Sequence, residues 1–231
     1  MKTVILAGGL GTRLRERAGD LPKPMASVAG RPFLEHLLDR LVAAGLHDLI
    51  LSVGYRAERI VEHFGEAYRG ARVRYAIESE PLGTGGALAH ALLNEGGDPA
   101  LALNGDTLFA LDYQAFLAWY RAAPAPMALA LKKVANAQRY GTVAVSGDRV
   151  TGFMEKGRAG PGLINAGVYI VQPAVFERFG LAGAFSLERD LLERQCAALS
   201  PRAFQSDAYF IDIGVPEDYE RAQKELAHAG S

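Results

Sequence analysis

One stretch near the N-terminus restricts the folds open to this chain more than any other. Thr3-Val4-Ile5-Leu6 is a short β-branched and apolar run, and it gives way at once to Ala7-Gly8-Gly9-Leu10-Gly11-Thr12-Arg13-Leu14. A strand that ends in a cluster of glycines has reached a turn, and glycine also lets a ligand approach the main-chain N–H groups. Successive N–H groups in such a turn make a concave anion site. Arg13 adds a cation, and Lys23 supplies another shortly after. A phosphate-bearing ligand is the first reading and a plain turn the second. Neither familiar phosphate loop fits. G-x-G-x-x-G is met by Gly9 and Gly11 but finds Leu14 at its third position, and a Walker A ending is absent.

Composition bounds the rest. The 231 residues suffice for one large domain. Apolar residues make up 49% and charged residues 22%, ordinary for a globular enzyme, and the formal charge of -1 gives no basic field for nucleic acid. Cys196, the single cysteine, excludes an internal disulfide and a Cys-rich zinc site and suits a reducing cytoplasm. The first apolar run is about six residues long, too short for a secretory leader, and no run approaches the roughly 20 residues of a membrane span.

Taken in order, the first half alternates strand and helix. Met1 to Ala7 reads as a buried strand. Leu21-Pro22-Lys23-Pro24 is extended and stiff, because each proline restricts itself and its predecessor. A helix starts at Arg31-Pro32, with Leu34, Leu37, Leu38, Leu41 and Val42 at helical spacing and Gly45 as its stop. Asp48 to Val53 is a strand, Glu58 to Phe64 a short helix, and Val73 to Ile77 a strand. Glu78 to Gly86 is a second glycine-rich loop opening a helix that runs to about Leu93. Its glycines leave room for a flat group such as a purine, or serve a tight strand-to-helix turn. Ala100 to Leu103 is a continuous apolar strand of the kind buried on both faces of a parallel sheet, and it ends in Asn104-Gly105-Asp106. Open α/β sheets bind ligands at such strand ends.

Beyond Pro124 and Pro126 the pattern changes. Met127 to Lys132, Gly141 to Val145, Val150 to Met154 and Asn165 to Val171 read as strands joined by short turns, so this half is mixed or antiparallel. Ser186 to Leu199 reads as one helix capped by Ser186; its apolar face serves either an interface between copies of the chain or only the core. Asp212 interrupts the apolar run Phe210 to Gly214, where an ionised carboxylate is costly unless paired or metal-bound. A last helix runs from Pro216 to about Leu226. No linker separates the halves 1–123 and 124–231, so their strands are expected to share one sheet in a single domain.

The polar inventory then narrows the chemistry. A glycine loop with Arg13, a stiffly held Lys23, a second glycine loop, the strand-end carboxylates Asp106 and Asp212, and Lys156 are the groups that phosphoryl or nucleotidyl transfer needs. Mg²⁺ prefers carboxylate and phosphate oxygens. No Ser-His-Asp or Cys-His arrangement is evident, and His36, His47, His63, His90 and His228 read as structural or surface residues.

Leu6-Ala7-Gly8-Gly9-x-Gly11-Thr12-Arg13-Leu14 followed by Pro22-Lys23-Pro24 resembles the signature of the sugar-1-phosphate nucleotidylyltransferases. The likeness continues through Leu82-Gly83-Thr84-Gly85-Gly86, Asn104-Gly105-Asp106, Tyr140-Gly141, Glu155-Lys156 and Asp212-Ile213-Gly214, over essentially the whole chain and in order. The resemblance implies a Rossmann-like three-layer α/β/α sandwich on a mixed, mostly parallel sheet. It implies a reaction of nucleoside triphosphate with sugar 1-phosphate to give nucleotide-sugar and pyrophosphate, with Mg²⁺ as cofactor. By position, Leu6, Ala7, Gly8, Gly9, Gly11, Thr12 and Arg13 would hold the nucleotide, together with Glu78, Pro81, Gly83, Thr84 and Gly105. Arg13, Lys23 and Asp106 would be catalytic, and Asp106 with Asp212 would bind the metal. Asn104, Gly141, Glu155, Lys156 and Asn165 would receive the sugar phosphate.

Three segments, 162–169, 185–190 and 209–219, are similar to the D-glycero-α-D-manno-heptose 1-phosphate guanylyltransferases, which implies GTP as donor and GDP-heptose for surface glycan assembly as product. The chain's compact length agrees. The nearest rivals are the N-acetylmuramate 1-phosphate uridylyltransferases, expected to carry Glu at the place of Gly83, and the usually longer mannose- and glucose-phosphate enzymes. A non-catalytic nucleotide-sugar sensor on the same fold would be expected to lose Arg13, Lys23 or one of the two aspartates, and all four are present.

Overall fold

A computed structural model gives the structure of the chain and describes residues 1–9, 21–157 and 159–227. In the first half, β1 (Thr3–Leu6), β4 (Asp48–Val53), β6 (Ala71–Ile77) and β7 (Ala100–Asn104) are separated by α1 (Phe33–Ala43), α2 (Ala57–Phe64) and α3 (Gly83–Leu92), with β2 (Ser27–Val28), β3 (Arg31–Pro32) and β5 (Ala67–Tyr68) as short ribbons. Arg31-Pro32 therefore does not begin the helix. It pairs with β2, and Pro32 caps a helix that starts at Phe33.

The first half closes with β8 (Thr107–Phe109) and α4 (Tyr113–Ala122), and the second half holds β9 (Met127–Val134), β10 (Thr142–Ser146), β11 (Arg149–Met154), β12 (Gly162–Val171), α5 (Ala174–Arg178), α6 (Cys196–Leu199), β13 (Arg202–Ser206), β14 (Phe210–Asp212) and α7 (Pro216–Glu225). The expected single helix over 186–199 is instead a π-helical turn, Leu187–Glu193, followed by α6. Ser186 does cap it, accepting from the Arg189 N–H at 3.2 Å. Leu187, Leu191 and Leu192 are fully buried, so their apolar face belongs to the core.

Ten strands of the described residues form one sheet in the order β10-β11-β13-β9-β12-β7-β1-β4-β6-β5. β7, β1, β4 and β6 are mutually parallel, and β12 adds to β7 antiparallel, which joins the two halves. The sequence order reverses at β1: the chain steps outward through β4 and β6, then returns to β7 on the other side. A crevice opens beyond the strand carboxyl ends at such a reversal.

Each face of the sheet is covered, which is why the parallel strands are apolar on both sides. Ile5, Leu49 and Leu51 pack with α1, α2 and α4; Val4 and Ile50 pack with α3, α5 and the π turn. A smaller cluster of Val28, Phe33, Leu108, Ile211, Ile213 and Ala222 lies under α7. It pins β14, which pairs with β8 in a separate two-stranded ribbon rather than in the main sheet. Cys196 is buried, and among the described residues no helix is long and apolar enough to cross a membrane.

Candidate active site

The sheet reversal carries the site. A cavity of about 580 Å³ opens beyond β1 and β7. Of the expected residues, Leu6, Gly8, Gly9, Lys23, Glu78, Pro81, Gly83, Thr84, Asn104 and Asp106 line it. Gly54, Tyr55, Ser79 and Glu80 also line it, and sequence reasoning had not singled them out. Gly54-Tyr55 immediately follows β4, a strand-end position that points to the same rim. Gly11, Thr12 and Arg13 lie outside the described residues.

The extended segment expected over 21–24 ends at Pro22, because a proline's fixed φ also suits the first turn of a helix. Lys23 begins a 3₁₀ turn after Pro22, and Pro24 and Met25 beside it are buried. Its Nζ lies 2.5 Å from Asp106 Oδ2 and 3.8 Å from Asp212 Oδ1. One cation therefore bridges two carboxylates, one from the end of β7 and one from β14, which are contributed by the two halves of the chain. Buried Ile211 and Ile213 fix Asp212 between them, and its Oδ1 accepts the Gly214 N–H at 2.7 Å. Gly214 leaves room for that carboxylate, since a Cβ would stand 2.8 Å from Asp212 Oδ1. Burial, reinforced by the charge of Asp106 and opposed by Lys23, raises the Asp212 carboxyl above the ordinary carboxylate range.

Two expected positions serve the frame of the cavity. Ala7 is fully buried and donates its N–H to the Ser52 carbonyl at 2.7 Å, and Gly105 donates to the Leu6 carbonyl at 2.9 Å. Glu78 lines the cavity with its carboxylate already engaged by Leu82 N–H at 3.1 Å and the Ser52 hydroxyl at 3.3 Å. A Cβ on Gly8 would come within 2.5 Å of Glu78 Oε1, so that glycine admits the carboxylate.

The second glycine loop makes the strand-to-helix turn that was one of its two readings, with Gly83 at φ 69° opening α3. The space beside Gly83, Gly85 and Gly86 is filled by the chain itself. A Cβ on Gly83 would stand 2.6 Å from the Phe185 carbonyl oxygen, one on Gly85 would overlap the Phe185 ring, and one on Gly86 the Gly183 carbonyl. The Gly85 and Gly86 N–H groups both donate to the Phe185 carbonyl, at 3.0 and 3.2 Å, so the start of α3 is capped from the second half.

A second concavity, about 440 Å³, is lined by Gly141, Phe153, Met154, Glu155, Lys156 and Glu193. It gathers three of the expected sugar-phosphate residues and adds Glu193 from the π turn, for which the sequence held no signal. Asn165 lines neither cavity. Its Nδ2 donates to the Tyr169 hydroxyl at 2.8 Å and its Oδ1 accepts from Gly167 N–H at 3.1 Å. His36 is structural, its Nε2 lying 2.9 Å from the Val28 carbonyl.

A crevice at the reversal of a parallel sheet, glycine-lined and holding a lysine between two carboxylates, has the character of a phosphate-transferring site. The nucleotidyl transferase family profile matches residues 2–229, and the chain belongs to that family. It is 45% identical over 228 residues to the D-glycero-alpha-D-manno-heptose 1-phosphate guanylyltransferase of Aneurinibacillus thermoaerophilus, covering 99% of both chains. It is 44% identical to the Campylobacter jejuni protein of the same name, over 95% of this chain and 97% of that one. The crystal structure of HddC from Yersinia pseudotuberculosis complexed with GMP-PN superposes with a TM-score of 0.87 at 38% identity, over 97% of this chain and 99% of that one.

Proposed function

We propose that the chain transfers a guanylyl group from GTP to D-glycero-α-D-manno-heptose 1-phosphate, releasing pyrophosphate and forming GDP-heptose. The observation that carries the chemistry is the Lys23–Asp106–Asp212 cluster, which stands at the rim shared by the two halves. The identity of the two near-full-length relatives supports the choice of base and sugar.

The larger cavity is assigned to the nucleotide and the smaller to the sugar phosphate. In the reaction a phosphate oxygen of the sugar phosphate attacks the α-phosphorus in line, and pyrophosphate leaves. That oxygen is anionic near neutral pH, so no general base is needed, and catalysis rests on alignment and charge neutralisation. Lys23 places positive charge at the reacting phosphates, and Lys156 holds the acceptor's phosphate from the second cavity. Arg13, by its position in the glycine-loop motif, is assigned to the triphosphate.

The donor set of Asp106 and Asp212 fits Mg²⁺: two facing carboxylates, mutually repelling, with no sulfur or imidazole among them. Among the described residues no cluster of three or more acidic, His or Cys side chains could hold an ion by itself, so the remaining ligands would come from phosphate and water. When bound, the ion would neutralise charge on the phosphates. The triphosphate donor and the lone cysteine agree with a cytoplasmic setting.

A pyrophosphate-release assay tests this reading, with GTP, ATP, UTP, CTP and dTTP each set against heptose, mannose, glucose and N-acetylmuramate 1-phosphates. Turnover highest with GTP and the heptose is the expected result. Nucleotide binding without turnover on any pair would identify a sensor instead, and a preference for another pair would overturn the substrate assignment.

A further inference from the structure

One polar chain runs from the first cavity toward the second through the protein interior. At its centre is the Tyr169 hydroxyl on β12, in a side chain that is fully buried. It accepts from Asn165 Nδ2 at 2.8 Å and donates to Glu188 Oε1 at 3.3 Å. Thr84, in the wall of the first cavity, joins this chain through Glu188. The other Glu188 oxygen accepts from Thr84 Oγ1 at 2.6 Å and from Ser186 Oγ at 3.1 Å. Thr84 Oγ1 in turn accepts the Leu187 N–H at 2.9 Å. Asn165 follows Ile164, which pairs with Thr142, the neighbour of Gly141 in the second cavity.

A phenol and a carboxylate thus set the orientation of two side chains on two elements: Thr84 at the start of α3 and Asn165 on β12. Among the described residues, Asn104 Oδ1 in the wall of the first cavity is buried without a partner. Burial, with the charge of Glu188 beside it, holds the phenol far above its ordinary pKa, so the hydroxyl remains a donor throughout the working range. The bulge on β12 between Asn165 and Tyr169 is what lets both side chains reach one point. Residues four apart on an unbroken strand would lie about 13 Å apart.

We propose that Tyr169 and Glu188 are positioning residues that lock the nucleotide loop and the sugar-phosphate strand in one relative register, so that donor and acceptor meet in line. This rests on the assignment of the two cavities above. Neither residue lines a cavity. Their effect would fall on the alignment of two bound substrates, to which in-line transfer is steeply sensitive.

The test uses Tyr169→Phe, Glu188→Gln and Glu188→Ala in the full chain, with GTP binding by calorimetry and turnover by pyrophosphate release. For Tyr169→Phe we expect one GTP per chain with Kd within about threefold of the parent, while kcat falls about ten- to hundredfold. Glu188→Gln, which keeps the volume and one acceptor oxygen, is expected to lose less than Glu188→Ala. A kcat within twofold of the parent overturns the proposal. So does a fall in kcat that only tracks loss of GTP-binding stoichiometry, since that marks a purely structural role. Weakened GTP binding with unchanged kcat overturns it too, confining the residue to one cavity. Should Tyr169→Phe fail to fold, the two Glu188 variants decide by the same criteria. Parent turnover in the same assay keeps the underlying assignment separate from the fate of the variants.

Discussion

The two glycine-rich loops line the same cavity and use their glycines in opposite ways. At Gly9 an added Cβ would meet none of the described residues within 4 Å, so none of them fills the space beside that backbone. At Gly85 and Gly86 an added Cβ would run into the Phe185 ring and the Gly183 carbonyl, and the N–H groups are spent on the Phe185 carbonyl. The same contrast extends to the polar groups beside each loop. Lys23, Asp106 and Asp212 meet at the cavity with both carboxylates partly exposed to an incoming ligand. Thr84, Glu188 and Tyr169 are bonded among themselves. Two loops of like composition at strand-to-helix turns therefore form an open wall and a closed one, and only the first has its chemistry still available.

If that contrast is right, activity and stability should part company between the walls. The largest effect belongs to Lys23→Ala. Removal of a preorganised cation at a reacting phosphate is expected to lower kcat/KM by about 10²–10³-fold. Tm should move by only a few degrees, because Lys23 contacts carboxylates that are partly exposed. Turnover close to the parent's would remove Lys23 from the reaction.

Gly85→Ala is the counterpart on the closed wall. Overpacking against a ring with no room to retreat costs about 1–3 kcal/mol, and Tm should drop by roughly 3–10 °C for a chain of this size. Differential scanning calorimetry decides it, and an unchanged Tm would show that Phe185 yields and the wall is not closed. Gly9→Ala is milder and opposite in kind. Its Tm should match the parent's while the KM for nucleotide rises several-fold, because the methyl group faces the cavity and meets none of the described residues. A drop in Tm with an unchanged KM would reverse the assignment of the two loops.

What the sequence made legible follows the same division. The open wall was readable, because its groups are short-range and typed: glycines after a strand, a lysine between prolines, a carboxylate at a strand end. The closed wall was not, because its reason lies in a segment about a hundred residues away. Nothing local to Gly83-Thr84-Gly85-Gly86 says that Phe185 and Glu188 pack onto them. Asp212's own stretch told only that it needs a partner, the family resemblance named Asp106 beside it, and Lys23 came between them through the β8–β14 ribbon, a tertiary fact. α4 was overlooked although the chain carries its signal, with Tyr113, Phe116, Leu117 and Tyr120 at helical spacing and Asp112 as a cap accepting from the Ala115 N–H at 2.9 Å. The π turn left no trace in periodicity, since Leu187, Leu191 and Leu192 satisfy an α-helical face equally well.

The finest test asks whether the open wall costs stability, as the closed one should not. Burial and the charge of Asp106 raise the Asp212 carboxyl, with Lys23 pulling the other way. The folded chain therefore binds that proton more tightly than the unfolded chain does. Ionisation is a cost to folding that is absent at pH values below the ordinary carboxylate pKa of about 3.9. The cost grows as pH rises through the window up to the raised folded value, and is constant beyond it. Asp212→Asn removes the charge and keeps an acceptor for the Gly214 N–H, while Lys23 retains Asp106 at 2.5 Å. In chelator-treated protein the variant should melt about one to three degrees above the parent at pH 7. That advantage should shrink to nothing as the pH approaches 4, although turnover falls. Added Mg²⁺ should raise the parent's Tm and leave the variant's nearly still, because an ion held by two carboxylates stabilises the folded state that binds it. A variant less stable than its parent at pH 7, or an advantage that does not change with pH, would mean that Lys23 already balances both carboxylates and that the open wall carries no stored cost.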